Sequence, residues 1–236
     1  MSTITPITRR APEHVWRVDL DAASWGTACL SRDERERAAR FVFARDRERF
    51  VAAHVALRQV LAAYSGVAAT LLEFLPGKAG KPALARPAGL HFNLSHSQSV
   101  ALIAIADGNT EVGVDVEVLR PMADAEAMAA AYFTDAEQRA LAAVAPALRD
   151  RAFLTCWTRK EACLKAVGLG LGVDTRSFEA GVDEDTCETR IPVDGEPARV
   201  TISSFDGGEG VVCAIARRIP NDTGARRPLH ESELYA

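Results

Sequence analysis

Six consecutive residues, Gly113-Val114-Asp115-Val116-Glu117-Val118, constrain this chain more than any other stretch. Successive side chains of a β-strand point to opposite faces, which sends the valines to one side and both carboxylates to the other. Asp115 and Glu117 are then about 6.6 to 6.8 Å apart along the strand, and their oxygens can reach one hard cation. The same alternation also describes the wetted side of an ordinary sheet. On this segment alone both readings stand.

A second pattern follows in Trp157-Thr158-Arg159-Lys160-Glu161-Ala162-Cys163-Leu164-Lys165. Trp157, Glu161 and Lys165 fall on one helix face at i, i+4 and i+8, where a simple Glu-to-Lys helix pair accounts for the last two. The functional alternative is a third carboxylate for the cation with a fixed positive charge beside it. Cys156 and Cys163 read as small core residues. Upstream, His91-Phe92-Asn93-Leu94-Ser95-His96-Ser97 alternates as a half-buried strand does and ends in hydroxyls and an imidazole, groups suited to holding phosphate.

Periodicity places these segments within an α+β chain. A strand is expected at His14 to Leu20. Ser31 with Glu34 three residues on makes a capping box that opens a helical region, whose main helix runs from about Asp46 to Tyr64 and stops near Gly66. Leu71 to Leu75 reads as a short strand, Pro76 to Pro82 as a loop, and Leu90 onward and Val100 to Ala106 as strands. The turn at Asp107 to Thr110 suggests a hairpin into Val112 to Val118. Helices follow at Asp124 to Tyr132, Thr134 to Val144 and Leu148 to Val167, then strands at Ala198 to Phe205 and Gly210 to Ala216. The expected architecture is two similar-sized, pseudo-symmetric lobes, each with a main helix on a small antiparallel sheet. Their bounds are 1–110 and 111–219, followed by a flexible tail at 220–236.

The formal charge of −4 and a pI near 5.8 offer no global basic field, so no nucleic-acid partner is expected and any anion site must be local. The richest basic stretch, Arg32 to Arg58, is interleaved with acids in the manner of a solvated helix face. Five cysteines without a C-x-x-C pair suggest neither a zinc site nor a disulfide framework and fit a reducing cytoplasm. No apolar h-region opens the sequence and no apolar run is long enough to span a bilayer, so no membrane association is expected.

The ordered set HFNLSHS, GVDVE and WTRKEACLKA, preceded by Gly80-Lys81-Pro82 and an arginine-rich region ending in Ala56-Leu57-Arg58, resembles the 4'-phosphopantetheinyl transferase superfamily in its longer, monomeric, surfactin-synthetase type. The likeness spans about residues 31 to 180, and the G-[IV]-D-x-E and W-[ST]-x-K-E-[AS]-x-x-K hallmarks are met in full. It implies an enzyme of the holo-acyl-carrier-protein synthase kind. Such an enzyme moves 4'-phosphopantetheine from coenzyme A to a serine of an apo acyl or peptidyl carrier protein and releases 3',5'-ADP, with Mg²⁺ as cofactor.

Residue by residue, the resemblance implies that Asp115, Glu117 and Glu161 hold the metal and that Glu161 and Lys165 are catalytic. It also implies that Arg49, Lys81, Ser95, His96 and Lys165 contact coenzyme A, with Arg37 as a further candidate. Glu34 departs from relatives that carry a lysine there. Leu169 and Leu171 either meet the carrier or fill the core. A phosphohydrolase using the same carboxylates, and a non-catalytic coenzyme A or carrier-binding module, are the rival readings.

Overall fold

In the computed structural model, which describes residues 3–10, 13–22, 25–77, 80–86, 89–108 and 110–220, the chain builds two four-stranded antiparallel sheets. The first has the order β1-β2-β6-β5, from β1 (Ile4–Arg10), β2 (Glu13–Asp19), β5 (Leu90–Ser97) and β6 (Val100–Asp107). The second has the order β7-β10-β9-β8, from β7 (Val112–Val118), β8 (Cys187–Ile191), β9 (Ala198–Phe205) and β10 (Val211–Ile219). A small hairpin, β3 (Phe74–Pro76) with β4 (Pro82–Leu84), flanks the first sheet. The helices are α1 (Arg32–Ala39), α2 (Ala44–Ser65), α3 (Ala125–Tyr132), α4 (Asp135–Ala143) and α5 (Arg149–Val167).

Strand β6 shows why the two halves belong together. Its apolar run is buried on both faces, as a central strand's must be. Ala101, Ile103 and Ile105 meet Ala53, Leu57 and Leu61 of α2, while Val100, Leu102 and Ala104 join Val112, Val114 and Val116 of β7 in a core shared between the sheets. The other face of the second sheet packs on α5 through Ala162, Leu164 and Ala166. The layers therefore run helix, sheet, sheet, helix.

Caps set the helix ends. Ser31 and Thr134 both form complete capping boxes, with Glu34 and Glu137 respectively. Gly66 and Gly168, both at positive φ, close α2 and α5. The expected continuous helical region is interrupted at residues 40–43, between α1 and α2. Glu34 is buried against Arg58 at 2.8 Å, and Arg58 also donates to the Ala69 and Leu72 carbonyls. Its departure from the related lysine is thus taken up by a structural ion pair.

One expected pairing is corrected. Strands β6 and β7 do not form a hairpin, because β7 takes its backbone partners from β10 and lies at the edge of the other sheet. The valine face of β7 gains more by packing across β6 than a hairpin in one sheet would permit. Strands β1, β4 and β8 were not foreseen. Leu169 packs partly buried against the α5 core, whereas the Leu171 side chain and the tail from residue 221 lie outside the described residues. Cys156 and Cys163 are fully buried core residues and all five cysteines are free thiols.

Helix α5 and strand β7 approach each other tightly at Gly113. A Cβ there would overlap the Ala162 carbonyl oxygen and the Ala166 nitrogen, backbone atoms that cannot swing away. Gly113→Ala should therefore lower stability by about 3 kcal/mol or more in chemical denaturation, as overpacking against backbone does. Gly26→Ala, which meets open space, should stay within about 0.5 kcal/mol of the parent.

Candidate functional site

Polar side chains of β5 bridge to β7 at alternate positions, as the strand period requires. Asn93 accepts a hydrogen bond from the Val114 amide at 2.8 Å. Ser95 Oγ donates to Asp115 Oδ1 at 2.7 Å, and Ser97 Oγ donates to Glu117 Oε2 at 2.8 Å. The HFNLSHS and GVDVE segments are thus neighbours joined by side chains across the junction of the sheets. At Asp115, which is 5% exposed, the carboxylate face of β7 is buried, and at Glu117 it becomes partly exposed.

Helix α5 supplies the third wall. Lys165 Nζ donates to Asp115 Oδ1 at 2.6 Å and to Ser95 Oγ at 2.9 Å. Glu161, one turn earlier and partly buried, feels the charges of Asp115, Lys165 and Glu117. Its neighbours in the motif serve the fold. Lys160 is buried in an ion pair with Glu137 at 2.9 Å and donates to the Thr175 and Phe178 carbonyls. Arg159 donates to the Ala180 carbonyl and to Ser204 Oγ. These contacts fix the rotation of α5, and with it the direction of Glu161 and Lys165.

The site holds more negative charge than it neutralises. Asp115 Oδ2 is buried with no hydrogen-bond partner, although Oδ1 is doubly held. Burial raises the Asp115 pKa, and the Lys165 charge and hydrogen bond oppose that rise. Burial also raises Glu161, reinforced by Asp115 and opposed by Lys165. Glu117 pairs with Arg120 at 3.0 Å on its solvent side. Among the described residues no three His, Cys, Asp or Glu side chains are gathered into a ready-made metal cage.

His96, between the two bridging serines, opens into a cleft of about 1040 Å³ in the first half. Arg37, Arg40, His54, Phe41, Phe74 and Leu75 also line it, with Arg37 lying over the Phe50 ring at 5.2 Å. Desolvation within the cleft and the Lys165 charge hold His96 below its usual pKa, while Asp115 and Glu117 pull the other way. Asp33, Glu34 and Glu73 line the cleft as well, so it is mixed in charge, and its arginines and aromatic rings are the groups that could meet phosphate and a planar ring.

Two of the expected contacts are placed elsewhere. Arg49 does not line the cleft; it makes a two-pronged pair with Asp21, at 2.7 and 2.6 Å. Lys81 turns to the junction between the halves and donates to the Val112 and Lys165 carbonyls. Arg40 and His54 were missed. Arg40 follows Arg37 by three residues and so lies on the same side of the helix end, a spacing that could have revealed it.

A family model described as the 4'-phosphopantetheinyl transferase superfamily matches residues 111–216. A second, described as the N-terminal part of 4'-phosphopantetheinyl transferase, matches residues 14–107. The chain is similar to the 4'-phosphopantetheinyl transferase HetI of Nostoc sp., at 39% identity over 165 residues, covering 67% of this chain and 69% of that one. It is similar to the 4'-phosphopantetheinyl transferase psf-1 of Bacillus pumilus, at 30% over 178 residues and 75% of each. It also matches the 4'-phosphopantetheinyl transferase AcpT of Escherichia coli (strain K12), at 40% over 123 residues, covering 52% of this chain and 58% of that one.

A raised carboxylate pKa means that the folded state binds a proton more readily than the unfolded chain. The charge of Glu161 therefore costs stability above its folded pKa, and that cost vanishes as the pH falls below the unfolded value. Glu161→Gln should raise the denaturation midpoint at pH 7 to 8, and the gain should disappear by about pH 4. Equal midpoints across this range would show that Glu161 is not under electrostatic strain.

Proposed function

The chain belongs to the 4'-phosphopantetheinyl transferase superfamily, and from that premise we propose that it transfers the phosphopantetheine arm of coenzyme A to a serine of an apo acyl or peptidyl carrier protein, with Mg²⁺ and with release of 3',5'-ADP. The observation that carries this reading is the half-satisfied Asp115. One carboxylate oxygen is anchored by Lys165 and Ser95, and the other is buried without a partner beside Glu117 and Glu161.

Asp115, Glu117 and Glu161 would hold the ion. Mg²⁺ takes one or two carboxylates together with phosphate oxygens and water, so the absence of a closed three-carboxylate cage among the described residues is compatible with it. When bound, the ion supplies positive charge to the diphosphate. The nucleotide end would lie in the cleft against Arg37, Arg40 and His96, with Ser95 at its inner end.

In the proposed reaction the carrier serine oxygen bonds to the pantetheine-side phosphorus, and the bond from that phosphorus to the oxygen of 3',5'-ADP breaks. Glu161 takes the serine proton, a role its raised pKa favours by bringing the carboxylate closer to a useful base strength. Lys165 opposes the rise that burial imposes on the Asp115 pKa, and in this reading it faces the departing phosphate. The remainder of the catalysis is positioning and charge neutralisation, as phosphoryl chemistry demands. The carrier would approach at the junction of the halves, where Glu161 is still accessible. A cytoplasmic monomer serving secondary metabolism fits this reading.

Intact-mass spectrometry of apo carriers incubated with the protein, coenzyme A and Mg²⁺ tests the proposal. A gain equal to one phosphopantetheine arm, lost with EDTA, is expected on at least one carrier. Asp115→Asn should cut turnover by about 10²- to 10³-fold while the protein remains folded. Full activity in that variant would remove Asp115 from the mechanism.

A further inference from the structure

Lys81 stands where the resemblance implies a coenzyme contact, yet its side chain is committed elsewhere. Its ammonium donates to the Val112 carbonyl at 2.7 Å and to the Lys165 carbonyl at 2.8 Å. The second acceptor belongs to the last turn of α5, whose carbonyls lack partners along the helix. Leu169, the residue that would ordinarily bond Lys165 O, donates instead to Leu164 O, as does Gly168. On its own side, the Lys81 carbonyl accepts a hydrogen bond from the Gly77 amide at 2.7 Å.

We propose that Lys81 is a positioning residue that ties the start of β4 to the end of α5 and the start of β7, and thereby holds Lys165 in register with Asp115. The proposal deepens the transferase reading and rests on it for its kinetic consequence. Lys165 is gripped at two points: its ammonium by Asp115 and Ser95, and its carbonyl by Lys81. The same lysine grips β7 at Val112, three residues before Asp115. Loss of Lys81 frees both elements at once.

Charge is not what holds the strut. Both acceptors are neutral carbonyls, and burial brings the Lys81 pKa down to about 8, with Glu111 acting in the opposite direction. Glu111 is itself paired with Arg218 at 2.8 Å. A neutral amine retains two N–H donors, enough for both carbonyls, so the strut persists on either side of that pKa.

The test compares Lys81→Met and Lys81→Arg with the parent in full-length protein. Lys81→Met should lower kcat for carrier modification by about 10²-fold through misplacement of Lys165, with KM for coenzyme A unchanged. Lys81→Arg, which keeps donors for both carbonyls, should recover most of that loss. A raised KM with kcat intact would overturn the proposal in favour of a direct phosphate contact, and no change in either constant would overturn it as well. If Lys81→Met does not fold at the assay temperature, the same split is read on Lys81→Gln.

A second arm needs no turnover. The Lys81 side-chain NMR signal of the parent protein should titrate near pH 8 and keep that midpoint when coenzyme A is added. An upward shift on adding coenzyme A would show the ammonium meeting phosphate and would sink the strut. A parent protein that modifies no carrier, but whose Lys81 titration is indifferent to coenzyme A, would defeat the proposed function and leave the strut standing.

Discussion

The structure turns on a buried carboxylate held from two directions. Asp115 gives up water on β7, and its lost hydration is offset only in part by Lys165 from α5 and Ser95 from β5. Burying an ion pair is favourable only when the geometry is good and the remaining lone pairs are satisfied. Here one oxygen meets that condition and the other does not. The three groups come from three elements and both sheets, so the arrangement exists only when the halves are correctly docked. Fold and site are therefore one problem: whatever aligns β5, β7 and α5 also creates the charge imbalance at their junction.

Alignment is obtained by contacts that leave little freedom. Gly113 admits the backbone of α5 at contact distance, which no residue with a side chain would. Lys160 and Arg159, one to two residues before Glu161, tie the inner side of the same helix to the carbonyls of Thr175, Phe178 and Ala180. The valine face of β7 is locked into the inter-sheet core by Val112, Val114 and Val116. A strand fixed on one face by packing and a helix fixed in rotation by buried cations leave Asp115, Glu161 and Lys165 with few alternative directions. Such preorganisation is what electrostatic catalysis requires, since charge that must reorient during the reaction stabilises the transition state less.

What could be read from the sequence was what depends on near neighbours in the chain. The capping box at Ser31, the helix start at Thr134, the ends of the main helices near Gly66 and Gly168, and the two-faced alternation of Gly113 to Val118 are local, and the structure contains each of them. The pairing of β7 was not local. Its partner β10 lies almost a hundred residues away, and the turn chemistry at Asp107 to Thr110 gave a plausible but wrong hairpin. The distant carboxylate, serine and lysine were gathered by resemblance, and the structure does bring Ser95, Asp115 and Lys165 into mutual contact. Arg49 and Lys81 escaped because a motif names a position but not where a long side chain goes. Asp21 and two backbone carbonyls compete for those cations, and neither competitor leaves a mark in the motif.

That competition explains the distribution of charge in the protein. Arginines and lysines that meet an internal acceptor are spent on the fold: Arg58 on Glu34, Lys160 on Glu137, Arg159 on Ala180 and Ser204. Arg37 and Arg40 instead face the cleft. On the acidic side Asp115 and Glu161 are strained upward in pKa. His96 lines the cleft and feels Lys165, Asp115 and Glu117 together. A divalent cation arriving with the phosphates of a ligand would relieve the excess of carboxylate charge at Asp115 and Glu161.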